Sequence, residues 1–301
     1  MSGTPASEAP DRSLLFGVAY RILGDAHEAE DAVQEGLLRW HQLGDDGRAK
    51  IRQPAAWLTR VVSRICLDQL GSARARREAY VGPWLPEPVP GVVGPTFVAM
   101  APGADDPADR VTLDESVSMA LLVVLEQLTP GERVALVLHD VFGLSFAEVA
   151  EVVGRTPQAC RQLASTARRQ LRQHQRFAPS GPERDAVITE FVTACQTGDL
   201  DRLTRLLDPG VVVRSDGGGK VNAARRPVVG APKAAQFVLG IVGRLTGTGV
   251  VEVLPVVVNG VTGLLVRVDG QPQSVLDFAV VDGVIAHLGI VVNPDKLRAW
   301  S

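Results

Sequence analysis

Between Arg155 and Arg176 the chain carries six arginines and no acidic residue. Arginine and glutamine suit base edges in the major groove of DNA, and several arginines suit its phosphates. On a helix opening at Pro157, the side chains of Gln158, Arg161, Gln162, Ser165, Arg168, Arg169 and Arg172 reach outward while Ala159, Leu163, Ala167 and Leu171 pack. Thr156 is a good cap, and Pro157 fits the first helical position behind it. A second basic tract, Arg60, Arg64, Arg74, Arg76 and Arg77, stands against one acid, Asp68, about 80 residues earlier. A charge run alone is more often a solvated face. Here the cap, the turn at Gly154 and an acid-free helix coincide, as in a helix-turn-helix that docks on DNA.

Other groups offer weaker chemistry. Asp31, Gln34 and Glu35 lie on the face opposite Val33 and Leu37, and fit either a protein contact or a solvated acidic face. Asp216-Gly217-Gly218-Gly219-Lys220 invites a phosphate-loop reading, but Val221 follows the lysine where that loop needs serine or threonine. Three glycines point instead to a turn closely approached by another segment, with Asp216 and Lys220 free to pair with Glu87 or Asp295. Asp277 and His287 sit on adjacent expected strands and could face one cavity, where histidine would move protons near neutral pH. They form no assembled constellation, so no catalytic residue is assigned.

Helices must position these groups. Leu14, Leu15, Val18, Ala19, Ile22 and Leu23 keep a helical period, as do Ala29, Val33, Leu37 and Trp40. Gly44 to Gly47 reads as a loop, and Pro54 opens the next helix. Residues 81 to 110 hold seven prolines, too many for helix or sheet, and read as an extended arm that docks through Trp84 and Leu85. Helical pattern returns over 111 to 177, where Thr129 and Glu132 form a capping box. From 184 onward two helices precede β-branched runs, with a hairpin at Asp282-Gly283, which reads as a curved antiparallel sheet covered by helices. The expected division is 1–80, arm 81–110, 111–177 and 178–301. The fold class is multidomain: two all-α domains, then an α+β domain.

Composition sets limits. A net charge of −3 argues mildly against nucleic acid, but local patches rather than the average meet a phosphate backbone. Cys66, Cys160 and Cys195 make no C-x-x-C pair, so neither zinc site nor disulfide framework is expected, and a reducing cytoplasm is the simple reading. No apolar core for a signal peptide opens the chain, and the apolar stretch Val250 to Val268 is broken by Glu252, Pro255, Asn259 and Arg267. No membrane or cofactor is expected.

Three runs in this order resemble extracytoplasmic-function sigma factors. AYRILGDAHEAEDAVQEGLLRW resembles the helix that grips the polymerase clamp helices, PAAWLTRVVSRICLDQLGSARARR the segment that melts and reads the promoter −10 element, and residues 144–173 the helix-turn-helix that reads the −35 element. The rest is similar to a subgroup fused to a SnoaL-like, cone-shaped domain. That likeness rests on Trp84-Leu85-Pro86-Glu87-Pro88, the Asp216–Lys220 run, and Asn293-Pro294-Asp295-Lys296-Leu297. The resemblance implies core RNA polymerase, through clamp helices and flap, and promoter DNA as partners. It implies Asp31, Gln34 and Glu35 as polymerase contacts, and regulation in cis by the extension, with an unidentified small ligand there left open. Many members carry asparagine where Arg64 aligns, which leaves Arg64 a phosphate contact. Two rival readings stand: a cyclase or isomerase fused to a DNA-binding module, and a dimeric helix-turn-helix repressor.

Overall fold

The computed structural model describes residues 11–78, 80–91, 119–174 and 181–301. They fall into two compact units. Of these, the first draws on 11–75 and 125–172; the second on 76–78, 80–91, 119–124, 173–174 and 181–301.

The first unit is helical. Helix α1 (Arg12–Leu23) starts where the Asp11 carboxylate accepts from the Ser13 amide at 2.9 Å, and ends at Gly24 with φ 71°. Helix α2 (Ala26–Gln42) is capped likewise by Asp25, and α4 (Pro54–Glu78) follows Pro54. Leu15, Val18, Ile22 and Val33 are fully buried. The α2–α4 crossing is close enough that a Cβ on Gly36 would meet Val62 Cγ2 at 2.6 Å. Gly44–Ala49 winds into a short helix, α3, where the sequence reads as a loop. Asp45 and Asp46 in its first turn favour the positive helix end, and Arg48 bonds Asp45 at 2.7 Å.

Helix α5 (Met119–Leu125) belongs up to Val124 to the second unit; in the first, α6 (Pro130–Leu136) opens on the expected Thr129–Glu132 capping box. Chain 137–141 continues as a π-helical turn. Helix α7 (Phe146–Val153) carries a second capping box, Ser145 with Glu148, and Gly154 at φ 71° turns the chain into α8 (Pro157–His174). Arg133 locks this part to the end of α1. Its side chain is only 3% exposed, pairs with Glu126 at 2.6 Å, and donates to Ile22 O and Leu125 O at 2.8 Å each.

In the second unit, α9 (Pro182–Thr197) and α10 (Leu200–Leu206) lead into β1 (Leu207–Asp216). Then come β2 (Val228–Val229), α11 (Ala231–Thr246), β3 (Val251–Val258), β4 (Val261–Val268), β5 (Gln271–Val281) and β6 (Val284–Val291). A 3-10 turn closes the chain at Pro294–Trp300. The sheet order is β2-β1-β6-β5-β4-β3. Three tight turns join the last four strands. Asn259, Asp269 and Asp282 have φ of 51°, 50° and 49°, each followed by a glycine of positive φ. Such turns twist with the strands and enforce antiparallel pairing.

The sheet is mixed, not antiparallel throughout: β1 runs parallel to β6. The long connection through α11 imposes no hairpin constraint on β1, so its direction is set by where it packs. Helix α11 is also absent from the sequence reading. It has no side-chain cap and contains Gly240 and Gly243, so its pattern is not that of a strong helix. The two sheet faces bury different things. Leu264, Leu276 and Ile290 join a core with α9 and α11. Leu265, Val275 and Val291, one residue along on the same strands, cluster with Leu85, Met119, Leu297 and Trp300. Among the described residues no helix is long and apolar enough to cross a membrane.

Candidate nucleic-acid interface and docked arm

Helices α7 and α8 form the expected helix-turn-helix pair. The Thr156 hydroxyl accepts from the Ala159 amide at 3.2 Å, and Cys160, Ala164, Ala167 and Leu171 are buried. Gln158, Arg161, Gln162, Ser165 and Arg169 are exposed. The Arg161 guanidinium lies 5.2 Å from the Phe146 ring centre, a contact that leans its stem along α7. Arg168 stands apart from this face. Its Nε and Nη2 donate to the two Asp140 oxygens at 2.7 Å each, and the Asp140 side chain is 7% exposed. Asp140 sits in the π-turn and gives no sign of this role in the sequence.

On α4, Arg60 lies 3.9 Å from Glu148 and 3.5 Å from Glu151, and Arg64 donates to Glu151 O at 3.4 Å. Two of the basic residues read as DNA contacts thus face acidic α7. Arg74, Arg76, Arg77 and Arg172 are helical in backbone, and their side chains lie outside the described residues. Asp31, Gln34 and Glu35 share an exposed face of α2. Glu35 pairs with Arg39 at 3.0 Å, and Asp31 lies 3.1 Å from His27, whose pKa its charge raises from the ordinary value.

Arm residues 80–91 lie against the C-terminal sheet, all within the second unit. Fully buried Asp216 is the hub. It accepts from Tyr80 Oη at 2.6 Å, from the Leu85 amide at 2.9 Å and from the Gly218 amide at 3.0 Å. Lys296, 6% exposed, pairs with it at 2.8 Å, donates to Leu85 O, and sits 4.2 Å from the Trp84 ring centre. Burial and the Asp216 contact push the Tyr80 phenol well up, so it stays a donor. Asn293 donates to Tyr80 Oη at 2.9 Å and accepts from the Asp295 amide at 3.1 Å.

A Cβ on Gly218 would run into the Asn293 amide, and its φ is 61°, which is why this loop needs glycine there. Gly217 is closed in by Val221 O and Gly219 by Val81. Lys220 pairs with Asp295 at the surface, while Pro294 is exposed, opening the last turn. Pro86 is buried and Glu87 half-buried. Farther along, Trp300 Nε1 donates to Pro88 O at 2.9 Å, Val89 exchanges bonds with Asn259, and Gly91 N bonds Val257 O at 2.9 Å, extending the β3 edge. Tyr80, Asn259 and Trp300 carry much of this contact. The sequence offers no signal for them beyond a turn residue and two lone aromatics.

Asp277 and His287 do not line the cavity of this domain, which lies between α9, α11 and the opposite sheet face. Asp277 lies 3.6 Å from Arg184, and His287 lies 3.4 Å from Arg214. Burial outweighs Arg184 and raises Asp277 from an ordinary 3.8 to about 6. A carboxyl raised on folding favours the folded state below its unfolded pKa, and loses that contribution as pH rises through the folded one. Asp277→Asn should therefore differ from the parent in its pH profile: the parent loses on the order of 2–3 kcal/mol between pH 4 and 6 that the variant keeps. Denaturation at each half pH unit checks it; identical profiles refute it. Among the described residues no group of three His, Cys, Asp or Glu could hold a metal.

Two family models match the chain: sigma-70 region 2 over residues 11–76, and sigma-70 region 4 over 118–171. The ECF RNA polymerase sigma factor SigJ of Mycobacterium tuberculosis is 41% identical over 95% of this chain and 90% of its own length. The probable ECF sigma factor SigI of the same species is 36% identical over 96% and 93%. The crystal structure of M. tuberculosis SigJ superposes with a TM-score of 0.72 at 38% identity, covering 96% of each chain. Two sigma models in this order, and full-length likeness at this identity, decide the matter: the chain belongs to the extracytoplasmic-function sigma factors, non-enzymatic proteins that bind core RNA polymerase and promoter DNA.

Proposed function

We propose that this sigma factor selects promoters with its helical unit and is regulated in cis by its C-terminal domain through the arm. Asp31, Gln34 and Glu35 meet the polymerase clamp helices. Arg60 and Arg64, with Arg74, Arg76 and Arg77, serve the −10 region; the exposed face of α8 reads the −35 element. The observation that carries the regulatory part is the Asp216 hub. A mobile tether would not place a peptide amide and a carbonyl on a buried ion pair. The acids facing Arg60 and Arg64 must also give way to phosphate.

Run-off transcription with core polymerase tests the regulation. Trp84→Ala and Tyr80→Phe loosen the arm, and output should change 5- to 150-fold, the range of a coupling of about 1–3 kcal/mol, with the same start site. Output within twofold of the parent for both sinks cis regulation. The polymerase contact has its own test. Asp31→Lys with Glu35→Lys should weaken core binding by roughly tenfold, chiefly through slower association, while helicity by circular dichroism holds. Unchanged affinity in the folded double variant moves the contact elsewhere.

A further inference from the structure

The C-terminal domain contains a cavity of about 270 Å³ between α9, α11 and the sheet. Its deep wall is Phe191, Val238, Leu264, Val266, Leu276 and Ile290. Protein cores normally close-pack, and dry spaces larger than a water molecule are few. No acid, lysine, arginine or histidine lines this one. A charged guest would therefore find no partner, and leaving a charge unpaired in apolar surroundings is prohibitive. The one titratable group, the Cys195 thiol, is pushed up to about 12 by burial and stays neutral.

Three polar side chains, Ser274, Thr246 and Gln196, interrupt the apolar lining, and of these Ser274 is the buried one. Its residue is 5% exposed, it lines the cavity, and its hydroxyl forms no hydrogen bond among the described residues. Thr246, by contrast, spends its hydroxyl on Val242 O at 3.1 Å, and Gln196 is exposed at the mouth. The wall thus offers apolar area plus a single directed polar group, the composition of a small-molecule site.

We infer that this cavity binds a neutral, largely apolar small molecule with one hydrogen-bonding group, which Ser274 receives. The site binds and does not turn over its guest, because no general acid or base reaches it. The inference stands whether or not the arm regulates transcription, and its test needs no polymerase.

The probe is 1-aminoanthracene, a neutral tricycle with one amine, titrated into the full-length protein. Fluorescence should rise and saturate at one probe per chain. Ile241→Trp and Val253→Trp place bulk into the cavity from half-buried positions on α11 and β3. Each should weaken binding at least about tenfold while the melting temperature holds or rises, since filling a void adds packing. If one variant fails to fold, the other decides. Ser274→Ala should weaken binding by about fivefold, the loss of one hydrogen bond of about 1 kcal/mol. Anthracene-1-carboxylate, the same rings with a charge, should bind at least about tenfold more weakly than the amine. Non-saturable fluorescence, undiminished binding in a folded filled variant, or equal binding of the carboxylate overturns the site.

Discussion

Lys296→Met should destabilise the C-terminal domain by about 3–5 kcal/mol, because it leaves the fully buried Asp216 carboxylate without its cation. For a domain of this size that is roughly 10–20 °C in melting temperature. The neutral donors that remain, Tyr80 and the amides of Leu85 and Gly218, stabilise the charge only in part. The same change removes the bond to Leu85 O and the cation over Trp84, so the arm should loosen first. Hydrogen exchange at the Leu85 and Val89 amides should accelerate before the sheet opens. The double variant Asp216→Asn with Lys296→Met should recover much of the loss, since removing both charges is far less costly than orphaning one. A single variant within about 1 kcal/mol of the parent would mean that Asp216 finds other compensation, and the hub would lose its meaning.

The second large effect separates two arginines on one helix. Arg168→Ala should cost about 3 kcal/mol of stability, since Asp140 is then left nearly buried and unpaired. Arg161→Ala should leave stability within about 0.5 kcal/mol, because its guanidinium is exposed and only skirts Phe146. Their effects on DNA should reverse. Arg161→Ala should cost about 1–3 kcal/mol at the preferred −35 sequence and relax discrimination at one position. Arg168→Ala, measured where it is still folded, should leave sequence preference intact. Urea denaturation beside binding to a promoter series checks both. If Arg168→Ala is neutral in stability and weakens all sequences evenly, Arg168 is a phosphate contact after all and the Asp140 pair is incidental.

The contrast between these residues marks the limit of reading a helix face. Periodicity puts Arg168 among the outward positions with Arg161 and Arg169, and by local geometry that is sound. What takes it away is Asp140, 28 residues earlier on a different turn, a partner no spacing rule connects to it. Arg60 and Arg64 show the same thing at lower energy, drawn toward Glu148 and Glu151 from far along the chain.

Elements with a local cause were legible without coordinates. The Thr129–Glu132 box, the Gly154 turn with its Thr156 cap, and the Asp282-Gly283 hairpin rest on interactions within a few residues, and the structure contains all three. So was the family, because its motifs lie in contiguous runs. Tertiary structure alone decided what depends on distant partners. It turned β1 parallel to β6, since a long connection leaves strand direction to packing. It made a helix of the glycine-bearing segment Ala231–Thr246, whose apolar face gains stability only against the sheet. It gathered Tyr80, Asp216, Asn293 and Lys296, spread over more than two hundred residues, around one carboxylate. And it decided which face of β5 borders the cavity: the strand alternation that puts Asp277 and Leu276 on opposite faces is local, but only the packing of α9 and α11 makes the Leu276 face the cavity wall.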